Sequence, residues 1–143
     1  MKIESDCLGD VSSFDAGMAC QGLMAFYGKG MFGYPQDQAK SDELFDRMKM
    51  HWVHACKAGE IEACSSLGNL NAIKLRSLPP ASEKAAIWAS ATIPWLDRAC
   101  RGGDALSCDA LADIYEVGRG VPKDLTKASE VRGLARKANG GAP

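Results

Sequence analysis

Apolar residues recur at intervals of three and four along most of the chain, and no stretch alternates with period two. "SDELFDRMKMHWVHAC" (41 to 56), "SEKAAIWASATIPWLDRAC" (82 to 100) and "KASEVRGLARKAN" (127 to 139) show this spacing, which predicts helices with one buried face. Three further segments share one column pattern: "ACQGLMAFY" (19 to 27), "ACSSLGNLN" (63 to 71) and "SCDALADIY" (107 to 115). Each has a small residue, a cysteine, two variable positions and a leucine (Leu23, Leu67, Leu111), followed by a small residue in two of the three copies. Cys20, Cys64 and Cys108 stand 44 residues apart in succession. Self-similarity at a fixed period marks a repeat architecture. The chain therefore reads as all-α, three helix pairs in which the cysteine segments are the first helices.

The connections carry their own signals. "YGKGMFGYPQD" (27 to 37) and "YEVGRGVPKD" (115 to 124) supply glycines for left-handed turns, then a proline and an aspartate suited to starting a helix. The middle copy, "NAIKLRSLPPASEKA" (71 to 85), has Asn71 in the tyrosine position and only Pro79-Pro80 to make its turn. Pro94 lies inside the second helix of that pair, where it removes a backbone hydrogen bond and is expected to kink the helix.

The pattern small-x-x-x-Leu-Gly-x-x-Tyr, followed by Gly-x-Gly-Val-x-x-Asp-x-x-x-Ala, is similar to the Sel-one-like repeat family, α-solenoid relatives of the tetratricopeptide repeats. "SCDALADIYEVGRGVPKDLTKASEVRGLARKA" (107 to 138) matches closely, the first pair recognisably, and the middle pair is degenerate. The resemblance implies a single domain over residues 1–143 with repeats of about 15–58, 59–102 and 103–139. It implies a short right-handed α-solenoid of about three antiparallel helix pairs. The cysteines look like those of the family's cysteine-rich, secreted bacterial branch.

Six cysteines form an even, regularly spaced set, as disulfide frameworks do. Residues eight apart on one helix are separated by about 12 Å of rise, whereas a disulfide needs Cα atoms within about 7 Å. The chain must turn between Cys56 and Cys64, at Gly59, and between Cys100 and Cys108, at Gly102-Gly103. Each bridge then staples one pair to its successor. Cys7 and Cys20 are expected to close a longer loop at the start, and the last second helix, with no successor, has Asn139 near the corresponding place.

Net charge of −1 and the absence of long like-charge runs suggest neither a nucleic-acid footprint nor a polybasic membrane patch. No apolar run reaches a membrane span and "MKIESDCLGD" lacks the apolar centre of a signal peptide, so a periplasmic or secreted chain with its leader removed is expected. No cofactor or metal is expected: zinc cysteines stand two to four apart. His51 and His54 flank Cys56 in one copy alone and read as packing and solvation. Ser-x-x-Lys, His-Glu-x-x-His and Gly-x-Ser-x-Gly are all missing, which argues against an enzyme.

Stacked helix pairs present an extended surface that generally binds proteins or peptides. The variable columns of the first helices place Gln21, Ser65, Asn69, Asp109 and Asp113 on the expected concave face, with Glu116 extending an acidic strip. Phe32 and Tyr34 in "MFGYP" form a second expected contact. Trp52, Trp88 and Trp95 read as core, as do Met18, Met24, Met48 and Met50. The function expected is a non-catalytic, periplasmic or secreted protein-interaction module, one version being an immunity-type inhibitor of a secreted bacterial toxin. The resemblance also leaves open a β-lactam-binding protein or weak β-lactamase-like enzyme, and a third possibility is an envelope or cytosolic scaffold.

Overall fold

Helices begin where a short polar side chain precedes an apolar-periodic run. Ser13 accepts from the Ala16 amide (2.9 Å), Asp37 from Lys40 (3.1 Å) and Ser82 from Ala85 (3.1 Å). Asp104 accepts from Ser107 (3.2 Å) and Asp124 from Lys127 (2.9 Å). Each bond satisfies an amide that the first helical turn leaves without a partner. The computed structural model describes residues 2–138, and among them there are seven helices and no strand. These are α1 (Lys2–Leu8), α2 (Phe14–Lys29), α3 (Gln38–Lys57), α4 (Ile61–Arg76), α5 (Glu83–Arg101), α6 (Ala105–Val117) and α7 (Leu125–Ala138). Asn139 lies outside the described residues.

The chain divides into two compact units, one running through Ala63 and the other from Cys64 onward. In the first, α2 and α3 form a hairpin with Leu23, Leu44, Met48 and Trp52 buried. Gly17 lets the helices approach: a Cβ there would lie 2.0 Å from Trp52 Nε1, which itself donates to the Phe14 carbonyl (3.2 Å). Helix α1 has no counterpart among the elements expected from the sequence. Seven residues are too few to show a helical period and too few to be helical alone. It is held against α2 by the Cys7–Cys20 disulfide, whose Cα atoms are 4.8 Å apart.

In the second unit α5, α6 and α7 pack around Ala89, Leu96, Leu111, Ala112, Ile114 and Val131. Gly68 of α4 abuts Leu96 of α5, leaving 2.8 Å to Leu96 Cδ2 for an added Cβ. The Cys100–Cys108 disulfide joins α5 to α6, with Cα atoms 4.6 Å apart across the turn at Gly102-Gly103. Cys56 and Cys64 are also disulfide-bonded, and no described cysteine is free. Helix α5 runs unbroken through Pro94. Pro94 and Ser90, whose carbonyl loses its usual amide partner, both lie on the exposed side, where the carbonyl is accessible to solvent.

The two glycine loops share their anchoring bonds. The amides of Gly30 and Met31 both reach the Phe26 carbonyl, and those of Gly118 and Arg119 both reach Ile114. The Asp37 amide donates to Tyr27 and that of Asp124 to Tyr115, each at 2.8 Å. In the middle pair, Ser77 and Leu78 instead donate to Lys74 and Leu75 (3.1 Å each), a tight turn that needs no glycine. Of the three tryptophans expected in the core, Trp52 is buried, while Trp88 and Trp95 are half-buried. Only Met48 of the four methionines is core; Met24 is half-buried, while Met18 and Met50, on the solvent sides of α2 and α3, are exposed.

Candidate functional site

The loop between α2 and α3 has one residue more between its anchoring tyrosine and aspartate than the loop between α6 and α7. Both loops open on a glycine of positive φ that ends the helix (Gly30, 68°; Gly118, 80°), and beyond it the shorter loop has positive φ at Gly120 (71°), whose amide donates to the Pro80 carbonyl (2.8 Å). In the longer loop positive φ falls on Phe32 (φ 55°) and Gly33 (φ 82°). A non-glycine residue in this conformation costs about 1–2 kcal/mol. Phe32 nevertheless stands 74% exposed, its ring edge-on to Phe26 with centroids 4.9 Å apart. Tyr34 stacks on Phe26 (5.5 Å) and meets Tyr27 edge-on (5.1 Å).

The Tyr34 hydroxyl donates to the Glu4 carboxylate of α1, tying the loop to the first helix. This hydrogen bond favours the neutral phenol, and its pKa is pushed up from 10.0 to about 12. Because the folded-state value is the higher one, the latch contributes fully below pH 10 and is lost as pH rises toward about 12. Ultraviolet titration should show one of the three tyrosines ionising late, and Glu4→Ala should return it to the ordinary range.

In the second unit, the structure brings Ser65 and Asn69 of α4 together with Asp104 and Ser107 at the start of α6. Ser65 Oγ donates to Asp104 Oδ2 (2.6 Å), as do the Ser107 hydroxyl and amide. Asn69 donates to Ser107 Oγ (3.1 Å) and to the Ser65 carbonyl (2.8 Å). The hydroxyls point at a carboxylate that already caps α6, so the cluster clasps α4 to α6. Of the acidic strip, Asp113 pairs with Arg119 (2.8 Å) and Glu116 with Arg132, while Asp109 is exposed and has no ion pair among the described residues. Gln21 is exposed on α2 of the first unit.

Sequence reasoning did not single out Arg47 and read His51 only as packing and solvation. Arg47 Nε donates to the Cys7 carbonyl (2.7 Å) and one Nη to those of Leu8 (2.7 Å) and Gly9 (2.9 Å), capping the end of α1. Buried His51 adds an Nε2 bond to Cys7 (2.7 Å); the carbonyl requires a proton on Nε2, so Nδ1 accepts from the Ser12 hydroxyl (3.0 Å). Their four-residue spacing on one helix face was the available signal. Among the described residues no group of three or more His, Cys, Asp and Glu could hold a metal ion, and no helix is long and apolar enough to cross a membrane.

No family model matches the chain, and no curated protein matches it. Among solved structures it is similar to the crystal structure of a protective antigen present in uropathogenic Escherichia coli strains and displaying an SLR fold. That similarity has 21% identity and a TM-score of 0.49, covering 85% of this chain and 30% of the other. The chain thus spans less than a third of that neighbour's length.

Proposed function

We propose that this protein is a non-catalytic binding module for a protein partner, working in an oxidising compartment outside the cytoplasm as an inhibitor of a secreted bacterial toxin. The observation that carries the binding reading is Phe32. An aromatic ring is held in a costly backbone conformation, braced by Phe26 and left open to solvent. Large aromatics on rigid loops are the usual anchors of protein interfaces. Disulfide-bonded cysteines fit an oxidising location. Gln21 on α2 and, in the second unit, Asp109 are the exposed polar positions offered for further contacts.

Phe32→Gly separates binding from folding, because glycine adopts positive φ without strain. The melting temperature should stay level or rise slightly, while affinity for the cognate toxin should fall by about 30-fold, as expected for a hot-spot residue. The candidate to titrate is a secreted lipase, amidase or nuclease encoded beside the gene for this chain. Unchanged affinity in the variant would remove Phe32 from the interface. Failure of the wild-type chain to bind or inhibit such an enzyme would remove the inhibitor reading.

A further inference from the structure

We infer, on the basis of the binding role proposed for Phe32, that α1 completes this site: Glu4, by accepting the Tyr34 hydroxyl, holds the Phe32 loop in the conformation a partner meets. Glu4 and Tyr34 are then positioning residues for the exposed ring. Two successive residues of the loop, Phe32 and Gly33, have positive φ, and a side chain in that region persists only where its surroundings hold it there. Nothing lies within 4 Å of where a Gly33 Cβ would stand, so the tip of the turn has no packing of its own.

The loop's internal bonds do not reach past the helices it joins. The Tyr34 amide donates to Met31 (3.0 Å), that of Asp37 to Tyr27 (2.8 Å), and Gln36 Nε2 to Gly28 (3.2 Å). Among the described residues, the Tyr34 hydroxyl makes the loop's one hydrogen bond to another element, and its acceptor is Glu4. The ring that carries this hydroxyl stacks on Phe26, the ring Phe32 meets edge-on. The shorter loop is tied outward by its backbone, from Gly120 to the Pro80 carbonyl ahead of α5. The longer loop uses a side chain of α1 instead.

Glu4 can serve because α1 is itself fixed. Cys7 is bonded to Cys20, Arg47 and His51 hold the Cys7 carbonyl, and Ile3 lies over Gly22 of α2, where an added Cβ would stand 2.8 Å from Ile3 Cδ1. Lys2, the cation on the same helix, is paired with Asp6 (2.9 Å), which leaves the Glu4 carboxylate to the tyrosine. Without that bond the loop should leave its binding conformation, and apparent affinity falls with the fraction of molecules that remain competent.

Loop order can be followed without a partner, from amide order parameters of the isotope-labelled full chain. Phe32 and Gly33 should give about 0.85 in the wild type, as α2 does, and below about 0.6 in Glu4→Ala and Tyr34→Phe, with α2 unchanged. Glu4→Gln, whose amide oxygen still accepts from the phenol, should keep the wild-type values. Against a secreted enzyme that binds the wild type, Glu4→Ala and Tyr34→Phe should each cost about ten-fold in affinity and Glu4→Gln nothing. In the Phe32→Gly background Glu4→Ala should cost nothing further, because no ring is left to position. Cys7→Ser/Cys20→Ser should also cost about ten-fold and Cys100→Ser/Cys108→Ser nothing. The inference is overturned if Phe32 and Gly33 stay ordered in Glu4→Ala and Tyr34→Phe, if Glu4→Gln behaves as Glu4→Ala, or if Glu4→Ala costs the same affinity with and without the Phe32 ring. Binding that survives Phe32→Gly, or a wild-type chain that binds no such enzyme, removes the role of Phe32 instead, and loop order then decides alone whether α1 positions it.

Discussion

Gly17→Ala is expected to destabilise the protein by about 3 kcal/mol, read as a fall in the urea midpoint. The sign is not obvious, because alanine is the better helix former by about 1 kcal/mol. Geometry decides it. The new methyl carbon would sit 2.0 Å from Trp52 Nε1 and 2.4 Å from Cδ1, and Trp52 is 3% exposed with nowhere to go. Overpacking of this kind costs about 1–3 kcal/mol. Moving the indole also breaks its bond to the Phe14 carbonyl and leaves a buried donor unpaired, at about 1–3 kcal/mol more. Gly28→Ala, on the same helix, is the control: its Cβ would meet only Ser41 Oγ, at 3.6 Å, and the helix-propensity gain should leave stability level or improved. If both variants behave alike, the packing of α2 on Trp52 is not as described.

Reduction should have the larger effect. By the chain-entropy model, closing loops with separations of 13 and 8 residues contributes about 2–3 kcal/mol each. Two such contributions are a large share of the 5–15 kcal/mol typical of a domain. Their effects should also differ in kind. The Cys100→Ser/Cys108→Ser variant should remain folded but lose about 2–3 kcal/mol, since α5 and α6 still share Leu96 and Leu111 in one core. The Cys7→Ser/Cys20→Ser variant should release α1, because a seven-residue helix is not stable alone and its remaining ties are hydrogen bonds from Arg47, His51 and Tyr34. Hydrogen exchange over residues 2–8 should then approach the rate of an unstructured peptide, while α2 and α3 stay protected.

The repeat was legible because cysteines, leucines and loop glycines recur in one frame, and the physics is local: the loop ending at Asp37 and the loop ending at Asp124 share their anchoring bonds. Helix α1 was not legible, since its stability resides in Cys20, Arg47 and His51, far away in sequence. The roles of Ser65 and Asn69 were hidden for the same reason. Small polar residues in a variable column look like a contact surface until Asp104, a helix cap read locally, is seen to accept from Ser65 across 39 residues. Phe32 was visible as an exposed aromatic, but its left-handed backbone follows from one extra loop residue that no periodicity reports.

Covalent links between helices hold this fold, and peptide mapping of unreduced protein reads them out. Digestion at aspartates separates Cys7 from Cys20 and Cys100 from Cys108. The account predicts that each couple stays linked until reductant is added and that alkylation before reduction labels no cysteine, Cys56 and Cys64 included. Labelled thiols in the native protein, or Cys7 or Cys100 linked to any other cysteine, would contradict it.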